Sequence, residues 1–346
     1  MRIIYWLIFI ELSVAGTLEF NKCRYKSIIS ALFIFNIIIF ILFATFKDSE
    51  LVADAPTYIN ALNGKEIILE PTFNLFAGFI NDFLNGNPIW LFFIYSLISI
   101  ITKGLSISEL SPFVLLSLLI WFSDFYPLHE LAQIRVAAAG GIFLLSLKSL
   151  YQHNFKHYLL WCILACLFHF SAILMLFLWP LSRNKINKVF WLTISLSSFI
   201  IAFIGIDIAY CMTYLPIEGI TQKYEAYQAI QQGMNETKLF SPLIIGKYLI
   251  LLLMLWKSNL LYDKNRYVYL FLKIMFISVI ARSLLASNLA IAQRISEFFS
   301  VVEILLFPLV MYLFSSKKLA YSFLLFIAVG LASVRIFSNN LIMTST

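Results

Sequence analysis

The sequence predicts an all-α, polytopic integral membrane bundle of about 10–12 membrane segments, some of them half-length or interrupted. Three observations carry this. First, 61% of the 346 residues are hydrophobic and only 12% are charged, with a mean hydropathy of +0.89. A soluble domain has about a quarter charged residues and 45–50% apolar ones. Second, the apolar residues form repeated long runs, and a bilayer-spanning helix needs roughly 20 of them. Third, the runs are uniform, whereas barrel strands alternate at every second residue. These features exclude a water-soluble globule, a disordered chain, a disulfide scaffold and a nucleic-acid reader. The net charge of +7 comes from Lys and Arg that mostly lie between apolar runs, where they set orientation.

The runs fall near residues 3–18, 27–46, 88–102, 112–128, 136–151, 156–181, 189–210, 242–256, 267–287, 297–314 and 319–337. One transmembrane domain is expected to fill residues 1–346, with outer loops near 47–87 and 211–241. The first run meets Lys22, Arg24 and Lys26 and reads as a retained span rather than a cleaved signal. That basic cluster is expected in the cytoplasm. The loop 47–71 carries Asp48, Glu50, Asp54, Glu66 and Glu70 and is expected outside. Residues 72–84 place Phe73, Phe76, Phe79, Ile80 and Phe83 on one side, the pattern of a helix lying in the outer interface. The Ala137 to Gly141 run is a small-residue surface that lets helices approach closely. The four Cys read as small apolar residues.

Charge parity fails at one place. If 156–181 crosses once, every later basic loop lands outside, against the positive-inside rule. The repair is two half-length helices meeting near His169 and Ser171, with non-helical backbone at depth, which is tolerated where protein buries it. The second long loop and Asn288 to Glu297 then fall outside.

In that orientation the polar groups collect near the outer face. Arg135 and Arg282 lie at the outer ends of their spans, and Arg294 sits in an outer turn. His129 and Glu130 precede Arg135, while Asp54, Tyr58 and Glu70 belong to the first outer loop. Ionisable residues in spans are costly and mark substrate paths. A lone Arg at a helix end is an interfacial anchor, but three on one side suit an anionic ligand, because the guanidinium fork binds phosphate or carboxylate. His169 is a ligand or base, or else a core His bonded to a carbonyl. Asp54 and Glu70 alone would read as solvated loop charges. No phosphate-binding glycine loop, GxSxG elbow, HExxH or CxxC pair occurs.

The ordered motifs DAPTY (54–58), EPTF (70–73), Ile134-Arg135 opening an Ala-rich helix, LFHFSAI (167–173) and AQRISEFF (292–299) before a span containing Pro308 resemble the EpsG and Wzy-type bacterial polysaccharide polymerases, over roughly residues 48–308. The resemblance implies an O-antigen, capsule or exopolysaccharide polymerase, a glycosyltransferase of the bacterial inner membrane with its site facing the periplasm. Such enzymes move a growing glycan from undecaprenyl diphosphate onto the next lipid-linked repeat, without a cofactor or metal. Arg135, Arg282 and Arg294 are then candidates to bind the diphosphate. His169, Glu70 and Asp54 are candidates for the base, in that order. Tyr58, Phe73, His129 and Glu130 are candidates to contact sugars. The implied partners are the lipid-linked donor and acceptor and the bilayer, with a chain-length regulator as a further candidate and no nucleic acid. Three rivals compete. One is a flippase or exporter of the same lipid-linked repeat. Another is a metal-dependent lipid-sugar glycosyltransferase using Asp48, Glu50 or Asp54. The third is a membrane O-acyltransferase using His169.

Overall fold

The computed structural model describes residues 1–181, 185–208, 210, 214, 225, 242–338 and 341–342. The described residues are overwhelmingly helical, with one isolated bridge between Val52 and Ile342. The chain forms two compact units, one comprising Met1–Pro180 and Glu303–Thr346 and the other Leu181–Val302. The helices are α1 (Arg2–Ala15), α2 (Lys26–Thr45), α3 (Ala55–Leu62), α4 (Pro71–Phe83), α5 (Pro88–Leu110), α6 (Val114–Phe125), α7 (Ile134–Tyr151) and α8 (Phe155–Phe168). They continue with α9 (Lys188–Ile204), α10 (Pro242–Trp256), α11 (Val268–Leu284), α12 (Leu289–Ser300) and α13 (Lys317–Ser333), joined by shorter turns. Among the described residues, six stretches are long and apolar enough to cross a membrane: Arg2–Asn21, Lys26–Thr45, Pro88–Leu110, Ile134–Tyr151, Leu289–Tyr312 and Lys317–Ser338. The expected loop 211–241 lies almost wholly outside the described residues, as does Arg183.

The helix starts follow from local chemistry. Asn87, Asn154, Asn187 and Asn288 each place a side-chain oxygen on a first-turn backbone N–H, at 3.0, 3.3, 3.1 and 3.2 Å. These satisfy donors that the helix itself leaves unpaired. Pro71 opens α4, where its missing N–H costs nothing. On α1, Tyr5, Ile8, Phe9, Leu12 and Ala15 are buried, while Ile3, Leu7, Ile10 and Val14 are exposed. Apolar residues on both faces mean that the outer face meets hydrocarbon rather than water.

The first unit has two distinct ends. At one, Lys22 donates to the Pro112 carbonyl (2.7 Å), Lys317 to the Phe20 carbonyl (2.7 Å), and Lys148 pairs with Glu109. Lys22, Arg24, Lys26, Lys148, Lys317 and Lys318 all flank helix ends on this side. At the other end, Arg2 donates to the Ile342 carbonyl (2.7 Å), Val52 bridges to Ile342, and the acidic 48–70 segment lies.

The expected break in 156–181 is present. Helix α8 stops at Phe168, His169 is extended (φ −156°, ψ 118°), and a 3-10 helix, Phe170–Leu178, follows. This second limb folds back along the first. The Tyr158 hydroxyl donates to the Met175 carbonyl at 2.5 Å, and Trp179 packs against His153, Phe155 and Tyr158. The limbs match in length, about 21 Å for fourteen α-helical residues and about 18 Å for nine 3-10 residues. The segment is therefore a hairpin that enters and leaves at the Lys148 end.

Helices α5 and α7 run parallel in close contact, since Gly141 faces Ser99 and Thr102 while Lys148, further along, pairs with Glu109. A Cβ on Gly141 would stand 2.0 Å from Thr102 Oγ1 and 3.0 Å from the Ser99 carbonyl oxygen. Gly141→Ala is expected to destabilise the first unit by about 1–3 kcal/mol. A thermal midpoint in detergent equal to that of the wild type would refute this.

In the second unit, Lys188 donates to the Trp256 carbonyl (2.7 Å) at one end, and Ser287 donates to Asp207 (2.5 Å) at the other. Gly205, at φ 81°, terminates α9 in the left-handed conformation that glycine adopts without strain. Ser278 donates to the Ser296 carbonyl at 2.8 Å, which sets α11 and α12 antiparallel.

Candidate functional site

The site lies in the first unit, at the end away from the lysine-rich one. Glu70 is the residue before Pro71, so it sits at the head of α4 with an extended backbone (ψ 129°). The residue is 5% exposed. One carboxylate oxygen accepts from Arg135 Nη1 at 2.5 Å, and the other lies 3.2 Å from His169 Nδ1. A desolvated carboxylate needs such donors to stay charged. Burial pushes the Glu70 carboxyl up, but the His169 hydrogen bond and the Arg135 charge outweigh it and hold it below the usual range.

Three elements bring this trio together. Arg135 stands on the first turn of α7, just after a π-helical turn, Tyr126–Ala132, and the kinked Gln133. His169 is the break residue of the hairpin. Thr72, on the first turn of α4, donates to the Leu167 carbonyl at 2.8 Å, satisfying an acceptor that the end of α8 leaves unpaired. That bond ties the head of α4 to the hairpin tip, so Glu70 and His169 are held by one local contact.

The walls are aromatic. Arg135 lies over the Tyr58 ring at 5.5 Å, Tyr58 packs on Phe73, and Phe73 on Tyr95. Phe168 meets both Tyr95 and Phe76. Burial pushes the Tyr58 hydroxyl up, so it stays neutral beside the guanidinium. Tyr58 and Phe73 are 3% and 1% exposed, so their rings line the site from within. Asp54 is half-buried at the head of α3.

Since an ionised Glu70 only accepts, His169 Nδ1 carries the proton. In the neutral ring this leaves Nε2 as the lone-pair nitrogen. A carboxylate that fixes the tautomer of a His is the arrangement of an oriented general base. Arg135 Nε is buried and donates to no acceptor among the described residues. The site thus combines a cation with spare donor capacity and a base oriented beside it.

The other sequence candidates lie elsewhere. His129 and Glu130 sit on the π-helical turn at 0% and 2% exposure. Glu130 pairs with Lys103, and Trp121 Nε1 donates to it at 3.3 Å. Neither residue presents a surface to a sugar in this structure. Arg282 and Arg294 belong to the second unit, where the α11–α12 register sets them within about a turn of each other along the helix pair. Arg282 is half-buried and Arg294 exposed. Asp48 caps the short turn after α2 through Glu50 N (3.1 Å). Among the described residues no three His, Cys, Asp or Glu side chains gather as a metal-ligand set.

Several residues of this region escape a reading by sequence. Lys103 reads as a charge flanking a span that ends at 102, but α5 runs on to Leu110 and buries it completely. A Lys inside an apolar run is the signal that could have found it. Asp124 pairs with Arg335 at 2.6 Å across 211 residues, a contact that no local pattern announces. Lys47, Thr72 and Tyr95 carry no motif.

Fold and site define a multi-pass helical membrane protein with a charged, aromatic-walled site at one end. The chain belongs to the EpsG family, whose sequence model matches residues 5–344. No curated protein and no solved structure matches it. Family membership points to a polysaccharide-polymerase type of function, a glycosyl-transfer reaction in a membrane.

Proposed function

We propose that the protein is an O-antigen or exopolysaccharide polymerase of the bacterial inner membrane. It transfers a growing glycan from undecaprenyl diphosphate onto a lipid-linked repeat at the periplasmic face. The observation that carries this is the buried Glu70 carboxylate joined to both Arg135 and His169. His169 Nε2 takes the proton from the acceptor sugar hydroxyl. The hydroxyl oxygen forms the new bond to the anomeric carbon, and the bond from that carbon to the diphosphate breaks. The leaving diphosphate takes the electron pair, and Arg135 stabilises the charge it gains. Such electrostatic support is often the largest single contribution to catalysis.

The periplasmic assignment is supported by the lysine-rich end lying opposite the site, since Lys and Arg are retained on the cytoplasmic side. The hairpin at 155–180 supports it too, because an entry and exit at one end restores the charge parity of the later loops. Arg282 and Arg294 are proposed as further phosphate-binding cations carried by the second unit.

Deleting the gene and running the surface polysaccharide on a gel tests the reading. A single capped repeat in place of a ladder supports a polymerase, and complete absence of the repeat favours the flippase. Arg135→Ala is expected to reduce polymer per molecule of inserted protein by about 10²–10³-fold. An unchanged ladder with both Arg135→Ala and Arg135→Lys would remove the role.

A further inference from the structure

Two buried lysines grip the backbone on either side of Arg135. Lys47 follows α2, and its Nζ donates to the Leu131 carbonyl at 2.5 Å and to the Glu130 carbonyl at 3.4 Å. It also stands 4.2 Å over the Phe92 ring. Lys103 donates to the Ala137 carbonyl at 3.0 Å and to Ser99 Oγ at 2.8 Å, and pairs with the Glu130 carboxylate. Carbonyls that end a helical turn lack intrahelical donors, and a cation there satisfies them and their dipole. The turn they end is the π-helical one, and Gln133 then kinks (φ −100°, ψ 63°) before α7 begins. The position of that kink sets where α7 starts, and so where the Arg135 side chain emerges.

We propose that Lys47 is a positioning residue for Arg135: its ammonium clamps the end of the 126–132 turn and so aims the guanidinium at Glu70 and the leaving phosphate. This rests on the role given to Arg135 above. Burial lowers Lys47 to about 7, against the opposing charges of Glu130 and Asp54. The groups facing it are Asp54 at the head of α3, Glu130 and the two carbonyls on the π-helical turn, and the Phe92 ring of α5; Lys103 shares Glu130. Unlike Lys103, Lys47 has no carboxylate within ion-pair distance among the described residues, so its removal strands no buried anion.

The test is a double-mutant cycle in full-length protein, reading polymer made per molecule of inserted protein in washed membranes with their own lipid-linked repeat. Lys47→Met is expected to reduce it about tenfold or more, as a small misplacement of a catalytic group does. In an Arg135→Lys background, Lys47→Met is expected to add no further loss, because there is no guanidinium left to aim. An equal fractional loss in both backgrounds overturns the positioning role and leaves the reading of Arg135 standing. Full activity of Arg135→Lys and Arg135→Ala overturns both. A second arm uses Lys47→Arg, which stays charged at every working pH. Wild-type activity is expected to fall as pH rises through about 7, and that of Lys47→Arg to persist to higher pH. Parallel profiles overturn the proposal even if Lys47→Met fails to insert.

Discussion

Polymer synthesis is expected to fall by about 10²-fold or more when Glu70 becomes Gln, with the protein still inserted. The amide has the same size, so the change isolates charge. Two effects act together. Arg135 loses its counter-charge, and its guanidinium is free to leave the position over Tyr58. Gln offers one acceptor oxygen where the carboxylate offered two, and with that oxygen on Arg135 its NH2 group faces His169 Nδ1, so the Nδ1–H tautomer is no longer fixed and Nε2 is no longer held as the basic nitrogen. Glu70→Asp keeps the charge but shortens the reach by one methylene, and is expected to fall between wild type and Gln. A Glu70→Gln variant with a normal ladder would show that the trio is structural only. The pH behaviour has a definite sign. The folded Glu70 carboxyl is held below its ordinary range, so its ion pairs contribute stability that is fully present above that range. That contribution is lost as pH falls through the lower folded value.

Much of the fold was legible because the bilayer imposes a length and a composition that any chain must obey. The charge parity of the loops even pointed to the interrupted run, since a single crossing at 156–181 would have inverted every later basic loop, and the break expected near His169 and Ser171 falls at His169. Arg135, Glu70, His169 and Tyr58 were legible as individual residues. Their arrangement was not: nothing in the run EPTF says that Thr72 will bond the tip of a distant hairpin and carry Glu70 with it. The buried pairs were hidden for the same reason. Lys103–Glu130 and Asp124–Arg335 are separated by 27 and 211 residues, and periodicity reads only neighbours three or four apart. His129 and Glu130 looked accessible because a Pro-containing segment between two spans reads as a loop. A π-helical turn instead keeps the chain helical there and turns both side chains inward.

Lys103 gives the second large effect. Its ammonium and the Glu130 carboxylate are both fully shielded from solvent. Removing one member of such a pair leaves an uncompensated buried charge and costs about 3–5 kcal/mol, whereas replacing both by apolar groups of similar volume is often neutral. Lys103→Met and Glu130→Leu are therefore each expected to lower the amount of inserted protein and its thermal midpoint sharply. The double variant is expected to recover most of both. The recovery should stop short of wild type, because Ser99 Oγ and the Ala137 carbonyl lose their donor in the double variant as well. A midpoint for Lys103→Met close to that of the wild type would mean that water or a neighbouring donor reaches Glu130, and that the pair is not the dry contact the packing of α5 on α7 makes it. Recovery of stability with activity still depressed would separate the two tasks of Lys103: holding the core together, and holding the first turns of α7 where Arg135 stands.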